Sequence, residues 1–462
     1  MSYLILLLIL IGISILLYKL YNDILSPAFI YTCSMVVCVI SAMIGLIFWN
    51  NVSSLKSETI AIIILSVISF AIGEICARKL IKFNGEKKCI EDNNEKNNKF
   101  YNIALWKNIA QIFFVLLTII LLYSEVKRIA IIAGYVDGGI GVMIGKFREL
   151  STLYTTDLVE KGQNINFIVS QMRKVCEVLC YINIFFLVSN IVNKKIKNVA
   201  NIPYLIIITL CLVLSLLTAG RMQILIYFVS AVFIFTILKL REYTVKEFIK
   251  KYAKIFIILI LIILIGFCLI LPLSGRKLNT NMISYLSYYF GISLPSLDMY
   301  LDNEIAKPEF FGEETLRGIQ TVLYKLNISD YIQPVSKEWL TFETKDNQIY
   351  HSNIFTSAKR YYHDFGWAGI AGCQIIFGFV FSYLYLLIKK KNSSIILIFV
   401  SMYYYIVIDQ IRDELFFSDF VHINTIFKFI MLFIIFYILI LEFKNIKIEK
   451  EGKKWKIVQK NQ

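Results

Sequence analysis

Proline, histidine and charge are all scarce in this sequence. Six prolines and three histidines occur in 462 residues, and Asp, Glu, Lys and Arg together make up 18%, against roughly 25% in a soluble domain. Set beside 58% hydrophobic residues, where about 45–50% is usual, that low charge excludes a soluble enzyme, a disordered chain and a fibrous one. Few prolines and no convincing internal repeat argue against a repeat-built secondary transporter. No CxxC, HExxH, P-loop or dinucleotide-binding glycine pattern occurs, so no metal and no cofactor is expected. None of the nine cysteines lies in an expected outer loop, so no disulfide is expected. Cys176 and Cys180, four apart on one helix face, read as packing residues.

Apolar residues come instead in blocks of about 20, the length that crosses ~30 Å of hydrocarbon as a helix. The reading is an all-α polytopic membrane protein with about eleven transmembrane helices, at 3–20, 27–49, 59–77, 103–123, 165–191, 201–218, 222–239, 255–273, 365–388, 394–408 and 423–442. The expected divisions are spans one to eight within 1–273, a large extracytoplasmic loop over 274–364, spans nine to eleven within 365–443, and a basic tail at 444–462. Met1 to Leu17 carries no basic residue ahead of its apolar run and reads as an uncleaved first span.

The net charge of +15 would suggest nucleic acid in a soluble chain; here topology accounts for it. One alternating set of connections carries Lys19, Arg78 to Lys99, Lys194 to Lys197, Lys239 to Lys254, Lys389 to Lys391 and the lysines of the tail. Basic residues collect in cytoplasmic loops, so these are expected inside, against anionic lipid. The amino terminus is then outside and the carboxyl terminus inside, and no nucleic-acid partner is expected.

Arginine departs from that rule. Arg78 and Arg241 are on the expected cytoplasmic side, while Arg128, Arg148, Arg173, Arg221, Arg276, Arg317, Arg360 and Arg412 fall on the opposite side or at the outer end of a span. A guanidinium presents a planar fork that matches phosphate oxygens and keeps its charge when partly desolvated. An outer face rich in arginine therefore suggests an anionic group handled there, such as a lipid-linked pyrophosphate. The alternative is pairing with loop carboxylates or lipid headgroups. Arg221 and Arg276 each follow a glycine, in Ala219-Gly220-Arg221 and Ser274-Gly275-Arg276, where backbone can approach a ligand closely. Arg412, Asp413, Glu414, Asp419 and His422 are either an ion-pair network over the site or a solvated loop.

The most specific stretch, residues 347–369, reads NQIYHSNIFTSAKRYYHDFGWAG. It places Tyr350, His351, Arg360, His363 and Asp364 directly before an apolar span. Histidine exchanges protons near neutral pH, and a carboxylate can orient it or act as base. Tyrosines stack on sugars but also suit the membrane interface, and Asp364 can equally cap the next helix.

Asn347, Tyr350 and Thr356, followed by Asp364-Phe365-Gly366 and Gly369 at the opening of a late span, resemble the bacterial oligosaccharide repeat-unit polymerases of O-antigen and capsular polysaccharide. The Gly220-Arg221 turn and the late outer loop are similar to that family too. The resemblance implies a GT-C-like, metal-independent membrane glycosyltransferase in the bacterial cytoplasmic membrane. It would polymerise undecaprenyl-pyrophosphate-linked repeat units into O-antigen, capsule or exopolysaccharide on the outer face. Lipid-linked glycans, membrane lipids, a flippase and a chain-length regulator are the implied partners. On this reading Arg221, Arg276 and Arg360 hold pyrophosphate. His351 or Asp364, with Arg360, serves catalysis, and Tyr285, Tyr288, Tyr289 and Tyr350 line the glycan path. A glycan ligase, a lipid-linked oligosaccharide flippase or transporter, and an envelope scaffold are the alternatives.

Overall fold

The computed structural model describes residues 1–50, 52, 54–81, 100–150, 164–193, 199–272, 281–302, 308–328, 339–345 and 347–441, with backbone alone at 446–451 and 454–459. The chain is mostly helical. In order, its helices are α1 Ser2–Tyr21, α2 Pro27–Phe48, α3 Ser57–Ile81, α4 Leu105–Ile132, α5 Ile140–Arg148, α6 Phe167–Val192, α7 Ile202–Leu217, α8 Arg221–Lys239 and α9 Val245–Leu269. Then come α10 Met282–Gly291, α11 Ser293–Asp302, α12 Arg317–Lys325, α13 Ser357–Lys391, α14 Ser394–Tyr403, α15 Tyr405–Asp409 and α16 Ile423–Ile440. Two antiparallel hairpins, β1 Leu340–Glu343 with β2 Ile349–Ser352 and β3 Ile446–Glu451 with β4 Lys454–Gln459, are the strands of the described residues. The second hairpin falls in the tail, where the sequence suggests only a loop.

Ten helices of the described residues are long and apolar enough to cross a membrane, which makes this a multi-pass membrane protein. The predicted tenth span, 394–408, differs. Its apolar run, Ser394–Asp409, continues through Tyr404 in right-handed helical backbone, but sixteen residues at 1.5 Å rise span only about 24 Å, short of a bilayer's hydrocarbon.

Lipid gives helices no hydrophobic reason to associate, so close contact rests on small residues and buried polar pairs. The α3–α13 seam shows the first device. A Cβ on Gly73 would overlap the Ile375 carbonyl, and one on Gly378 would overlap that of Phe70, so the two backbones touch. Gly291 brings α10 against Ser41 and Ala42 of α2 in the same way. The second device is a remote carboxylate at a helix end. Asp298 accepts from Lys56 N at 2.9 Å and Thr59 Oγ1 at the start of α3. Glu74 accepts from Ser26 Oγ and Ala28 N at the start of α2. Lys107 donates to the carbonyls of Ile438, Leu439 and Leu441 that α16 leaves open. Each satisfies backbone groups left open at a helix end.

The bundle has two unlike ends. At one, Asp23 binds Lys389 at 2.6 Å and the Tyr385 hydroxyl at 2.7 Å, beside the Arg78–Glu74 pair. This is the lysine end. At the other lie the hairpin β1–β2, helices α10 to α12, the carboxyl ends of α2 and α9, and the amino ends of α3, α8 and α13. Trp49 pairs through its backbone with Thr344 and stacks on Tyr288 at 5.0 Å, which ties the hairpin to the end of α2.

Candidate functional site

Arg221 opens α8 after a turn too tight for an ordinary loop. Ala219 adopts φ 55°, Gly220 N donates to Ser215 O at 2.9 Å, and a Cβ on Gly220 would stand 3.0 Å from that carbonyl. The turn delivers Arg221 to the amino-terminal, positive end of a helix dipole, where its side chain is 3% exposed. Nη2 donates to the Tyr285 hydroxyl at 3.1 Å, the guanidinium lies 4.7 Å over the Phe267 ring, and Nη1 has no partner. Among the described residues no carboxylate pairs with it.

A second cation stands close by. Burial and then the Arg221 charge push the Arg148 guanidinium below its ordinary value, with Tyr285 opposing them. Arg412 adds a third, 4.8 Å over the Tyr289 ring and 3.1 Å from Met222 Sδ, but it is matched by Asp409 at 2.9 Å. Tyr285 and Tyr289, one turn apart on α10, stack at 6.1 Å and form the wall facing these cations.

The other two predicted glycan residues, Tyr288 of α10 and Tyr350 of β2, meet at Trp49. Tyr288 packs against Trp49 and Tyr350, the latter at 5.5 Å, and donates to the His351 carbonyl at 3.1 Å. His351 is exposed on β2, its Nδ1 3.3 Å from Thr341 Oγ1. The four tyrosines thus divide into two walls, and α10 separates His351 from Arg221.

Arg360 sits in a buried ion network. Its Nε meets Asp413 at 2.5 Å and its Nη1 lies 3.9 Å from Glu314, which also takes Lys359 at 2.6 Å. Burial raises the Asp413 carboxyl, but Arg360 and Arg317 outweigh it and hold the group below the usual carboxylate range. Within Arg412 to His422, Arg412 pairs with Asp409 and Asp413 with Arg360, while Asp419 accepts from the Tyr405 hydroxyl and His422 caps α16. Asp364 accepts from Glu314 N and from Thr315 N at 2.6 Å, so it clamps the 308–316 loop to α13. Gly366, at φ 62° and ψ −151°, kinks the helix just after it, a conformation essentially restricted to glycine. Phe365 packs on Phe311 at 4.9 Å. The Asp364-Phe365-Gly366 stretch is a joint between loop and span. Nearby, His363 Nδ1 lies 2.9 Å from the Tyr300 hydroxyl.

Arg276 lies outside the described residues. No family model matches the chain, and no curated protein or solved structure does either.

The sequence reading did not assign Arg148, Phe267, Arg412 or Trp49 to the site. The uneven placement of arginine marked two of them. Nothing in the spacing linked residue 148 to residue 221, because the two charges that influence each other lie on elements far apart in the chain.

Proposed function

We propose that this protein is a membrane glycosyltransferase that joins lipid-pyrophosphate-linked oligosaccharide units on the extracytoplasmic face of a bacterial cytoplasmic membrane. The observation that carries this reading is the buried Arg221 guanidinium, whose Nη1 has no partner among the described residues. A free, desolvated fork at a helix amino terminus suits a diphosphate. Segregation of lysine to the opposite end of the bundle supports the orientation, by the positive-inside rule.

In this mechanism the acceptor hydroxyl attacks the anomeric carbon of the donor glycan. The bond from that carbon to the diphosphate oxygen breaks, and the departing oxygen keeps the electron pair. Arg221 and Arg148 neutralise the charge that develops there. Tyr285 and Tyr289 offer ring faces to the sugar beside the diphosphate. The hydroxyl proton passes to water, because His351 stands at the other tyrosine wall and the Asp364 oxygens already accept two amides. Arg360 keeps its carboxylate partners and acts by holding the outer subdomain together.

Gel analysis of surface polysaccharide after deletion and complementation tests the reading. The expected pattern is a ladder with the intact gene and a single repeat unit without it. A ladder that survives deletion would remove the proposal, and loss of all surface glycan would favour a ligase.

A further inference from the structure

Helix α9 is the least anchored of the ten spans. Its buried residues are Val245, Phe248, Phe267 and Cys268, so none falls between residues 249 and 266, about 27 Å of helix at 1.5 Å per residue. Both of its ends are pinned. Tyr252 and Phe256 pack edge-on to Phe235 of α8 at 5.3 and 6.0 Å. At the hairpin end Phe267, Cys268, Leu271 and Tyr285 close over Met222 and Leu225. Between those contacts residues 257–262 are all exposed, Ile260 by 50% and Ile262 by 58%. Successive residues turn by 100°, so six in a row present every face of the helix, including the one turned to α8. Helix α16, also at the periphery, differs: Thr425, Leu432, Phe436 and Leu439 anchor it along its whole length.

The uncovered centre is wholly apolar, Ile257 to Ile262 reading IILILI, so what fills the gap beside it is apolar. The gap leads toward Phe267, whose ring carries the Arg221 guanidinium with its unpartnered Nη1. An apolar cleft ending at a buried cation is complementary to an amphiphile with a long hydrocarbon tail and an anionic head. We propose that the cleft between α8 and α9 receives the polyisoprenoid tail of the diphosphate-linked substrate, entering sideways from the bilayer with α9 as its outer wall. The inference rests on the functional reading above and adds the route and the seat of the lipid.

The test uses the full chain in phosphatidylethanolamine–phosphatidylglycerol vesicles and a sugar-free polyprenyl pyrophosphate with a diazirine in mid-tail. Photolysis and peptide mass spectrometry then map the labelled residues. Labelling is expected to concentrate on residues 257–265 and on α8, at least fivefold above the exposed face of α16. Excess undecaprenyl pyrophosphate should suppress it, the same excess of phosphatidylglycerol should not, and Arg221→Gln should lower it about fivefold. Even labelling of the outer helices, or equal competition by phosphatidylglycerol, would overturn the proposal. So would an interchain crosslink through Ile260→Cys, which would mean that a second copy covers α9. Because the probe carries no sugar, the two readings fail separately. Slot labelling with a normal ladder after deletion retires the polymerase alone, and an altered ladder without slot labelling retires the cleft alone.

Discussion

Arg221 and Tyr285, 64 residues apart in the chain, meet through a 3.1 Å hydrogen bond that fixes one arm of the guanidinium and leaves the other without a partner. The tyrosine orients the fork without neutralising it, as a carboxylate would. Arg221→Lys keeps the charge and loses the fork. The expected effect is a fall of about 100-fold in polymer formation, within the range seen on loss of a preorganised donor, with the protein still in the membrane. Tyr285→Phe should cost less, about tenfold or roughly 1.4 kcal/mol, because it loses orientation and not charge. Polymer quantification in complemented deletion strains, normalised to protein in the membrane fraction, checks both.

The α3–α13 seam predicts a different outcome at glycine. Gly378→Ala places a methyl onto the Phe70 backbone, which cannot turn aside as a side chain would. A loss of about 3 kcal/mol of stability is expected, read as a lowered melting temperature in detergent. At Gly372, where an added Cβ meets nothing within 4 Å, the same change should be nearly neutral.

The Arg360–Asp413 pair predicts a structural phenotype. The Asp413 side chain is 38% exposed, so removing it costs less than the roughly 3–5 kcal/mol of a fully buried pair, about 1–3 kcal/mol. Asp413→Asn should therefore lower the melting temperature and expose the 308–316 loop to protease. Loss of polymer with unchanged melting and protease resistance would instead place Arg360 in the chemistry.

The fold was largely legible because hydrophobic runs of span length carry their own signal, and ten of the eleven predicted spans are present as helices long enough to cross. Ser394–Asp409 misled because its composition is that of a span while its length falls short of one. The site was legible by residue type and less so by grouping. Arginine on the unexpected side pointed to 148, 221 and 412. Only folding shows that Asp413 matches Arg360 while the described residues leave Arg221 unmatched. Tyr285, Tyr288 and Tyr289, at i, i+3 and i+4, read as one patch until packing divides them, Tyr285 and Tyr289 toward Arg221 and Arg412 and Tyr288 toward Trp49.

Glu414 gives stability a specific dependence on pH. Burial pushes its carboxyl up to about 7, against the amides of Phe417 and Ser418 and the Arg360 charge, which favour ionisation. The unfolded chain releases this proton near the ordinary value of about 4.3. Between roughly pH 4.5 and 7 the folded protein therefore holds a proton that the unfolded chain has lost. The contribution of Glu414 falls across that window by up to about 1.4 kcal/mol per pH unit and is level above it. Thermal melting of wild type and Glu414→Gln from pH 4.5 to 8 should show the extra downward slope in wild type alone.

Reconstituted transfer tests the central claim most directly. The purified chain is placed in vesicles with polyprenyl-pyrophosphate-linked repeat units, and both the released polyprenyl pyrophosphate and the length of the lipid-linked glycan are measured. The account predicts one diphosphate released for each unit joined, with both readouts falling together in Arg221→Lys. Unjoined units in the presence of folded wild-type protein, or transfer unchanged by Arg221→Lys, would contradict it.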